Sequence, residues 1–356
     1  MRMIVYRFSL TALLLCQGLL AYGQEFTFSQ AGQVRHAINP ARVADMPEDA
    51  RGTAAYRNQW YAANQPYAVL FASGEMSYRF KKADALRRIG GQISFADDNL
   101  ARGVLRTQWV QLAGSYTQSL DVARRHQLSG GLGLALQMRR LGPDGLTFGN
   151  QFDAEQLGFN PALPSGEGDL LRLQTFVQTS LGLAYRFYQT DRLSWRADVA
   201  YLGINKLQES FSTEARYAGF SQKRRLSLLL SAQYQTQGRL VLEPLFFFNR
   251  QGPAYEMLAG SWVLLSQSRY ARKQMQWGAG LFVRPGDAVI PGVRLEYDKW
   301  AGALTYDATY SGARQAASRN SIIGLGGMGA LEATLTYRLL YTKPNDGPSS
   351  VPCRAF

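Results

Sequence analysis

The feature that most constrains this chain is an alternation of apolar and polar residues in segments of about ten residues. In residues 329–341, Leu331, Leu335 and Leu339 fall on one face of an extended chain, and Glu332 falls on the other. Residues two apart share a face of a β-strand, and transmembrane strands alternate lipid-facing with lumen-facing positions. The pattern therefore predicts an all-β fold, a closed antiparallel transmembrane β-barrel.

Fourteen such segments can be distinguished, and an even number suits a closed bacterial barrel. They lie near 52–60, 67–80, 87–96, 103–119, 126–140, 171–187, 193–203, 224–235, 239–249, 254–266, 275–284, 289–298, 299–311 and 330–341. The barrel is thus expected over residues 51–341, with a periplasmic tail at 342–356.

The longest connections between these segments support the count. They are residues 141–170, 204–223 and 312–329, which follow the fifth, seventh and thirteenth segments. If both ends of the chain lie in the periplasm, all three connections fall on the outer side, where barrels carry long loops and the periplasmic turns are short.

Composition excludes several other classes of protein. With 46% hydrophobic residues the chain is not disordered. Two cysteines, Cys16 and Cys353, exclude a disulfide scaffold, and two histidines, His36 and His126, leave too few ligands for an expected zinc site. After residue 23 no stretch approaches the roughly 20 apolar residues of a membrane-spanning helix.

The N-terminus indicates export. Residues 1–23 combine basic residues, a short apolar run and small residues before Gln24, which is typical of a secretory signal peptide cleaved near Gly23–Gln24. Residues 24–50 carry few alternating positions. Three interpretations stay open for them: a periplasmic contact, a plug of the lumen, or disorder.

No catalytic constellation is found. A Ser–His–acid triad needs a histidine base, but His36 precedes the barrel and His126 opens a strand at the inner rim. The glycine-rich residues 324–329 lead into a strand rather than a helix and so do not form a phosphate-binding loop. The basic residues are scattered despite a pI near 9.8, so no nucleic acid partner is expected. The chain is predicted not to be an enzyme and to use no cofactor.

Arginine dominates the basic residues, with 32 of 39. Inward-facing Arg can pair with Asp and Glu and brace the wall, or it can attract anions. Asp307 and Glu332, inward on the last two strands, are expected to pair with a lumen arginine such as Arg338. An anion-preferring outer-membrane channel is therefore the alternative function.

Several motifs, in this order and spacing, are similar to those of the PorP/SprF family across nearly the whole chain after the leader. They are FTFSQ (26–30), INPA (38–41), YRNQW (56–60), LTFGNQFD (146–153), LGINKLQESF (202–211), LEPLFFFNRQG (242–252), WGAGLFVRPGDAVIPG (277–292), YDATYS (306–311) and ALEATLTY (330–337). The motif residues singled out as structural are Phe28, Ser29, Gln30, Asn39, Pro40, Arg57, Asn58, Gln59, Trp60, Tyr306, Asp307, Ser311 and Glu332. The chain departs from the family pattern at residues 42–44 and at Thr309.

The resemblance implies a non-enzymatic outer-membrane barrel of the type IX secretion and gliding machinery of Bacteroidota. It implies secretion or surface retention of cargo proteins through their C-terminal sorting domains. The expected partners are such cargo, periplasmic or outer-membrane components of the machine, and membrane lipid and lipopolysaccharide. In the loop 141–170, Phe148, Phe152 and Phe159 form an aromatic group that could anchor a protein partner, or could pack inward as a lid.

Overall fold

The computed structural model describes residues 27–34, 37–43, 45–46, 48–60, 66–80, 87–142, 147–155, 157–166, 173–205, 207–209, 220–266, 275–310 and 329–339. In chain order the strands are β1 (Ala50–Gln59), β2 (Tyr67–Arg79), β3 (Arg87–Leu100), β4 (Leu105–Ser119), β5 (His126–Leu141), β6 (Phe152–Asp153), β7 (Gly158–Phe159), β8 (Leu173–Thr190), β9 (Leu193–Leu202), β10 (Leu207–Glu209), β11 (Phe220–Gln222), β12 (Arg225–Gln235), β13 (Leu240–Gln251), β14 (Ala254–Ser266), β15 (Met275–Arg284), β16 (Ala288–Tyr297), β17 (Trp300–Thr309) and β18 (Ala330–Leu339). Short 3-10 turns lie at Pro40–Arg42, Ala101–Gly103 and Gly149–Gln151.

Fourteen of these strands form one closed antiparallel barrel, which confirms the predicted fold and strand number. Each barrel strand pairs with the next barrel strand along the chain, and β1 pairs with β18 to close the wall. We call this β1–β18 pairing the seam. The remaining four strands form two small sheets, β6–β7 and β10–β11, within two of the long connections. Among the described residues, no helix is both long and apolar enough to cross a membrane.

The period-two pattern is reflected in the exposure of the wall. On β18, Leu331 and Leu335 are 43% and 50% exposed, whereas Glu332 between them is fully buried. The leucines face outward and the glutamate faces the lumen, as the sequence predicts. The long connections all leave one end of the barrel, which we call the outer end because outer-membrane barrels carry long loops outside. The opposite end is the inner end.

Two prolines interrupt the ladder within the wall. Between β12 and β13, pairing stops after Ser231–Leu245 and resumes at Tyr234–Leu242, so two pairs are skipped, one of which contains Pro244. Between β16 and β17, pairing likewise skips Pro291. Proline has no backbone N–H, so it cannot donate to the neighbouring strand. The register is the same on both sides of each gap.

The described part of residues 27–49 lies inside the barrel; we call it the lumen segment. It begins beside the outer ends of β1 and β15 and descends to the inner end, where the Asp49 N–H donates to Leu339 O at 3.0 Å and the chain enters β1. The lumen segment therefore runs antiparallel to the strand that follows it.

The apolar core lies between the lumen segment and the wall, in two clusters. In one, Phe28 and Val34 pack against Phe71 and neighbouring residues, with the rings of Phe28 and Phe71 6.1 Å apart, edge to face. In the other, Ala31 packs against Trp262 and its neighbours. Both clusters contact the outer half of the segment, so this half is packed by apolar side chains on two sides.

Candidate functional site

The seam brings together motif residues that are far apart in the sequence. Arg57 on β1 and Glu332 on β18 are direct cross-strand partners and both face the lumen. Asp307 faces the lumen from β17, which pairs with β18. Three charged side chains thus converge on the inside of the wall where the first and last strands meet. All three are at least 97% buried.

These wall residues bind the lumen segment. The backbone N–H groups of Ser29 and Gln30 donate to the two oxygens of Glu332, each at 2.8 Å. Arg57 donates to Glu332 Oε2 at 3.0 Å and to Asp307 Oδ2 at 2.8 Å. Ser29 Oγ lies 2.8 Å from both oxygens of Asp307 and accepts from Arg57 at 2.6 Å. We call these five residues the outer cluster.

Gln30 adds bonds from its side chain. Its Nε2 donates to Thr305 Oγ1 at 3.2 Å and to Glu332 O at 3.1 Å, and its Oε1 accepts from Thr334 Oγ1 at 2.6 Å. Each end of the amide is therefore matched by a wall group of the right polarity. A buried amide with all these partners specifies the position of the segment.

Above the outer cluster, a cavity of about 450 Å³ opens toward the outer end. Thr27, Arg57, Gln59 and Arg284 are among its lining residues. Arg284 donates to Ser29 Oγ at 2.9 Å and forms an ion pair with Glu256 at 2.8 Å. Arg284, at the outer end of β15, was not expected from the sequence.

Two glycines of the wall lie directly against the middle of the lumen segment, and we call them the glycine floor. Gly131 on β5 and Gly182 on β8 are direct cross-strand partners. A Cβ on Gly182 would collide with the Asn39 side chain, and one on Gly131 would lie within 2.6 Å of the Ala41 backbone. Asn39 donates to Leu183 O at 2.9 Å and its Oδ1 accepts from the Ala41 N–H at 2.9 Å. Two wall glycines thus make room for the INPA turn.

Lower down, a second group of charges surrounds the segment. Arg42 pairs with Asp198 at 3.4 Å, and Asp45 pairs with Arg186 at 3.1 Å and closely with Arg196. We call these five residues the inner cluster. Arg42 Nη1 and Asp198 Oδ1 make no hydrogen bond with any described residue.

The other motif residues have varied positions. Phe28 packs in the core, whereas Asn58 and Gln59 are half-buried at the outer end of β1. Trp60 follows them with a positive φ of 57°, and its N–H donates to Gly329 O at 2.9 Å. Tyr306 is half-buried on β17. Ser311 lies outside the described residues.

The expected pairing of Asp307 and Glu332 with Arg338 is wrong. Arg338 forms ion pairs with Glu296 at 2.8 Å and with Glu48 at 3.3 Å. It shares a face of β18 with Glu332, but six residues along a strand separate them by about 20 Å. Arg57 on the neighbouring strand meets the two carboxylates instead. The bracing role expected for lumen arginine is seen in these pairs.

The three phenylalanines of the loop 141–170 do not form one group. Phe152 on β6 and Phe159 on β7 are direct cross-strand partners and are 58% and 48% exposed. Leu157, in the turn between them, is 80% exposed. Phe148 is half-buried, and its N–H donates to Gln151 Oε1 at 3.3 Å. We call residues 152–159 the outer hairpin.

Of the two histidines, His126 lies in the part of the chain that the structure describes, away from the two charge clusters. His126 Nδ1 lies 2.7 Å from the Tyr185 hydroxyl, and its ring stacks on Phe187. No group of three or more His, Cys, Asp or Glu among the described residues could hold a metal ion. His36 lies outside those residues.

Comparison with known proteins agrees with this geometry. Residues 21–325 match the family model described as type IX secretion system membrane protein PorP/SprF. The chain belongs to the PorP/SprF family. As a member of this family with a closed fourteen-strand barrel, it is a type IX secretion membrane component of the outer membrane. A search of curated proteins finds no match.

Solved structures share the fold of this PorP/SprF protein at low sequence identity. A Pseudomonas aeruginosa FadL homologue aligns with a TM-score of 0.50 and 10% identity, covering 84% of this chain and 92% of that chain. The Ralstonia pickettii toluene transporter TbuX aligns with a TM-score of 0.50 and 9% identity, covering 86% and 94%. At this identity the likeness concerns the barrel architecture alone.

Proposed function

We propose that this PorP/SprF protein supports the secretion or surface retention of particular cargo proteins and that it does so by binding protein partners. Cargo would be recognised through its C-terminal domain at the outer end, and periplasmic components of the machine would bind at the inner end. Residues 1–23 would be removed on export. Contacts with lipid and lipopolysaccharide would cover the outward face, and the gliding role of the family would follow from the cargo.

The observation that carries this proposal is the occupied lumen. The lumen segment occupies the interior of the barrel and is held there by two apolar clusters and two clusters of charge. A barrel filled in this way favours a function carried by its two ends over free diffusion of solutes. The inward arginines described above are paired with carboxylates, which leaves the alternative of an anion-preferring channel without a specific observation in its favour.

The outer hairpin is the surface that we propose for a partner. Its exposed apolar residues are Phe152, Leu157 and Phe159. Exposed aromatic side chains at a loop tip are effective anchors in protein interfaces. Because Phe148 is half-buried, we restrict the anchor to Phe152 and Phe159.

Deletion of the gene followed by identification of the lost surface proteins tests the function. Loss of one or a few cargo proteins supports it, whereas an unchanged surface with reduced uptake of small anions would favour a channel. Planar bilayer recordings of the purified protein add to this: closed barrels agree with the proposal, and steady anion-selective conductance contradicts it.

The hairpin is tested separately with Phe152→Ala/Phe159→Ala in the complemented strain. We expect cargo retention to fall about tenfold or more, as loss of an aromatic anchor commonly costs over 1.4 kcal/mol. The matched control is Leu132→Ala/Leu134→Ala, which removes two exposed apolar residues from the outward face of β5, away from both ends of the barrel. Equal retention in the two variants would remove the hairpin from the proposal.

A further inference from the structure

The seam carries a charge conflict at its inner end. Arg51 on β1 and Arg338 on β18 are direct cross-strand partners, and both face the lumen. Like charges directly opposite each other destabilise a strand pair. Arg51 is neutralised within the wall by Glu75 at 2.7 Å. Arg338 pairs with Glu296 in the wall and with Glu48, which belongs to the lumen segment.

The outer end of the seam depends on the segment in another way. Glu332 is completely buried, and Arg57 is its cross-strand partner in the seam. Its carboxylate accepts three hydrogen bonds. Two come from the backbone N–H groups of Ser29 and Gln30, and the third comes from Arg57. Without them, one oxygen of a buried carboxylate would lose its donor, which costs about 1–3 kcal/mol or more for a charged group.

The segment also links the strands on either side of the seam. Ser29 contacts Arg57 on β1 and Asp307 on β17, and Gln30 contacts Thr334 on β18. These bonds connect strands that are first and last in the chain, whose pairing closes the barrel. By contrast, Asn39 and Asp45 contact β8 and β9, which follow each other directly in the chain and are joined by a short turn at residues 191–192.

We propose that the lumen segment is a clasp on the seam: it holds β1 and β18 together from inside, so that loosening the segment weakens the wall along this one line. Ser29 and Gln30 fasten the outer end, and Glu48 fastens the inner end. The pairing that closes the barrel then depends on a part of the chain outside the wall.

Hydrogen exchange of the purified, full-length barrel, followed by mass spectrometry, tests the clasp. Ser29→Ala/Gln30→Ala removes the side-chain bonds by which the segment links β1, β17 and β18. The backbone N–H donors to Glu332 and the Arg57–Glu332 pair stay. We expect amides of β1 and β18 near the outer end to exchange about tenfold faster, while those of β5 and β8 keep their rates. The control Thr117→Ala/Ser129→Ala removes a buried side-chain hydrogen bond of 2.8 Å within the wall and should leave the seam unchanged.

Glu48→Gln provides a milder second variant. It should speed exchange at the inner end of the seam, at Ala50–Thr53 and Thr336–Leu339, and leave the outer end unchanged. Faster exchange confined to the predicted end in each variant supports the clasp. Unchanged seam protection in both variants, or an equal increase in β5 and β8, would overturn it.

A disulfide across the seam provides an independent test of the clasp. Ala54 and Leu335 are cross-strand partners on the outward face, so Ala54→Cys/Leu335→Cys, in a background with Cys16 and Cys353 changed to Ser, can tie the seam without touching the lumen. It should restore the protection lost in Ser29→Ala/Gln30→Ala. The matched disulfide Leu112→Cys/Leu134→Cys joins outward-facing partners on β4 and β5 and should not. Equal rescue by both disulfides would contradict the clasp.

Discussion

The outer and inner clusters both bury arginines against carboxylates of the wall and segment, yet they differ in how completely their polar atoms are bonded. In the outer cluster, both oxygens of Asp307 and Glu332 accept hydrogen bonds. In the inner cluster, Arg42 Nη1 and Asp198 Oδ1 have no hydrogen-bond partner among the described residues. Buried charges are favourable only when paired with good geometry and otherwise bonded. We therefore expect the outer cluster to contribute more than the inner cluster to fixing the lumen segment.

The largest expected effect tests the outer cluster. Glu332→Ala removes the acceptor of the Ser29 and Gln30 N–H groups and leaves Arg57 with Asp307 alone. We expect the free energy of unfolding to fall by about 4 kcal/mol, in the range for breaking a buried ion pair. Urea unfolding of the protein refolded in lipid measures it. A loss below 1 kcal/mol would show that the cluster does not hold the segment.

The inner cluster should respond differently to single and double substitution. Arg42→Met leaves Asp198 buried without its ion-pair partner and should cost about 3 kcal/mol. Arg42→Met/Asp198→Met replaces the pair by apolar side chains and should be nearly neutral or stabilising. The same urea assay applies. In contrast, Arg57→Met/Glu332→Met should remain destabilising, because the N–H groups of Ser29 and Gln30 stay buried without an acceptor. If both double variants recover the stability of the original protein, the two clusters do not differ in this way.

The glycine floor between the two clusters gives a smaller effect. Gly182→Ala places a methyl group against Asn39 and should cost about 2 kcal/mol through overpacking. The control Gly91→Ala adds the same group at a wall position with nothing within 4 Å and should change stability by less than about 0.5 kcal/mol. Thermal unfolding of both proteins compares them. If the two glycines tolerate alanine equally, the INPA turn is not fitted to the wall.

The smallest effect is expected outside both clusters. Arg106 and Asp97 form a hydrogen-bonded pair at 2.7 Å, but the Arg106 side chain is 42% exposed. Ion pairs of this exposure contribute about 0–1 kcal/mol, so Asp97→Asn should lower the unfolding free energy by no more than this. A larger loss in the urea assay would mean that ion-pair position matters less in this barrel than the comparison of the two clusters indicates.

Much of the wall could be predicted from the sequence, because the alternation of apolar and polar residues shows which face of each strand points outward and which faces the lumen. The predicted strands match the fourteen barrel strands, although ends differ by a few residues, as at β3, which extends to Leu100 rather than residue 96. The extension carries Asp97, whose partner Arg106 lies on the next strand. Periodicity detects an apolar face and does not detect such pairing.

For the candidate site, the sequence could predict which residues take part but not which of them bind each other. Alternation places Arg57, Asp307 and Glu332 in the lumen, but the partners depend on the register between strands up to 275 residues apart. The lumen segment has no period, because it is not a strand and its contacts come from backbone N–H groups, a turn and scattered polar and charged side chains. The role of Gly131 and Gly182 could not be predicted, because small residues on the inward face of a strand do not show what packs against them.

The direction of the lumen segment has a practical consequence for labelling this protein. Thr27 lies beside the outer ends of β1 and β15, whereas Leu339 lies at the inner end beside Ala50. Thr27 and Leu339 therefore lie near opposite ends of the barrel, although β1 and β18 are neighbours. A short epitope placed just before Thr27 and one placed just after Leu339 are expected to report from the cell surface and from the periplasm, respectively.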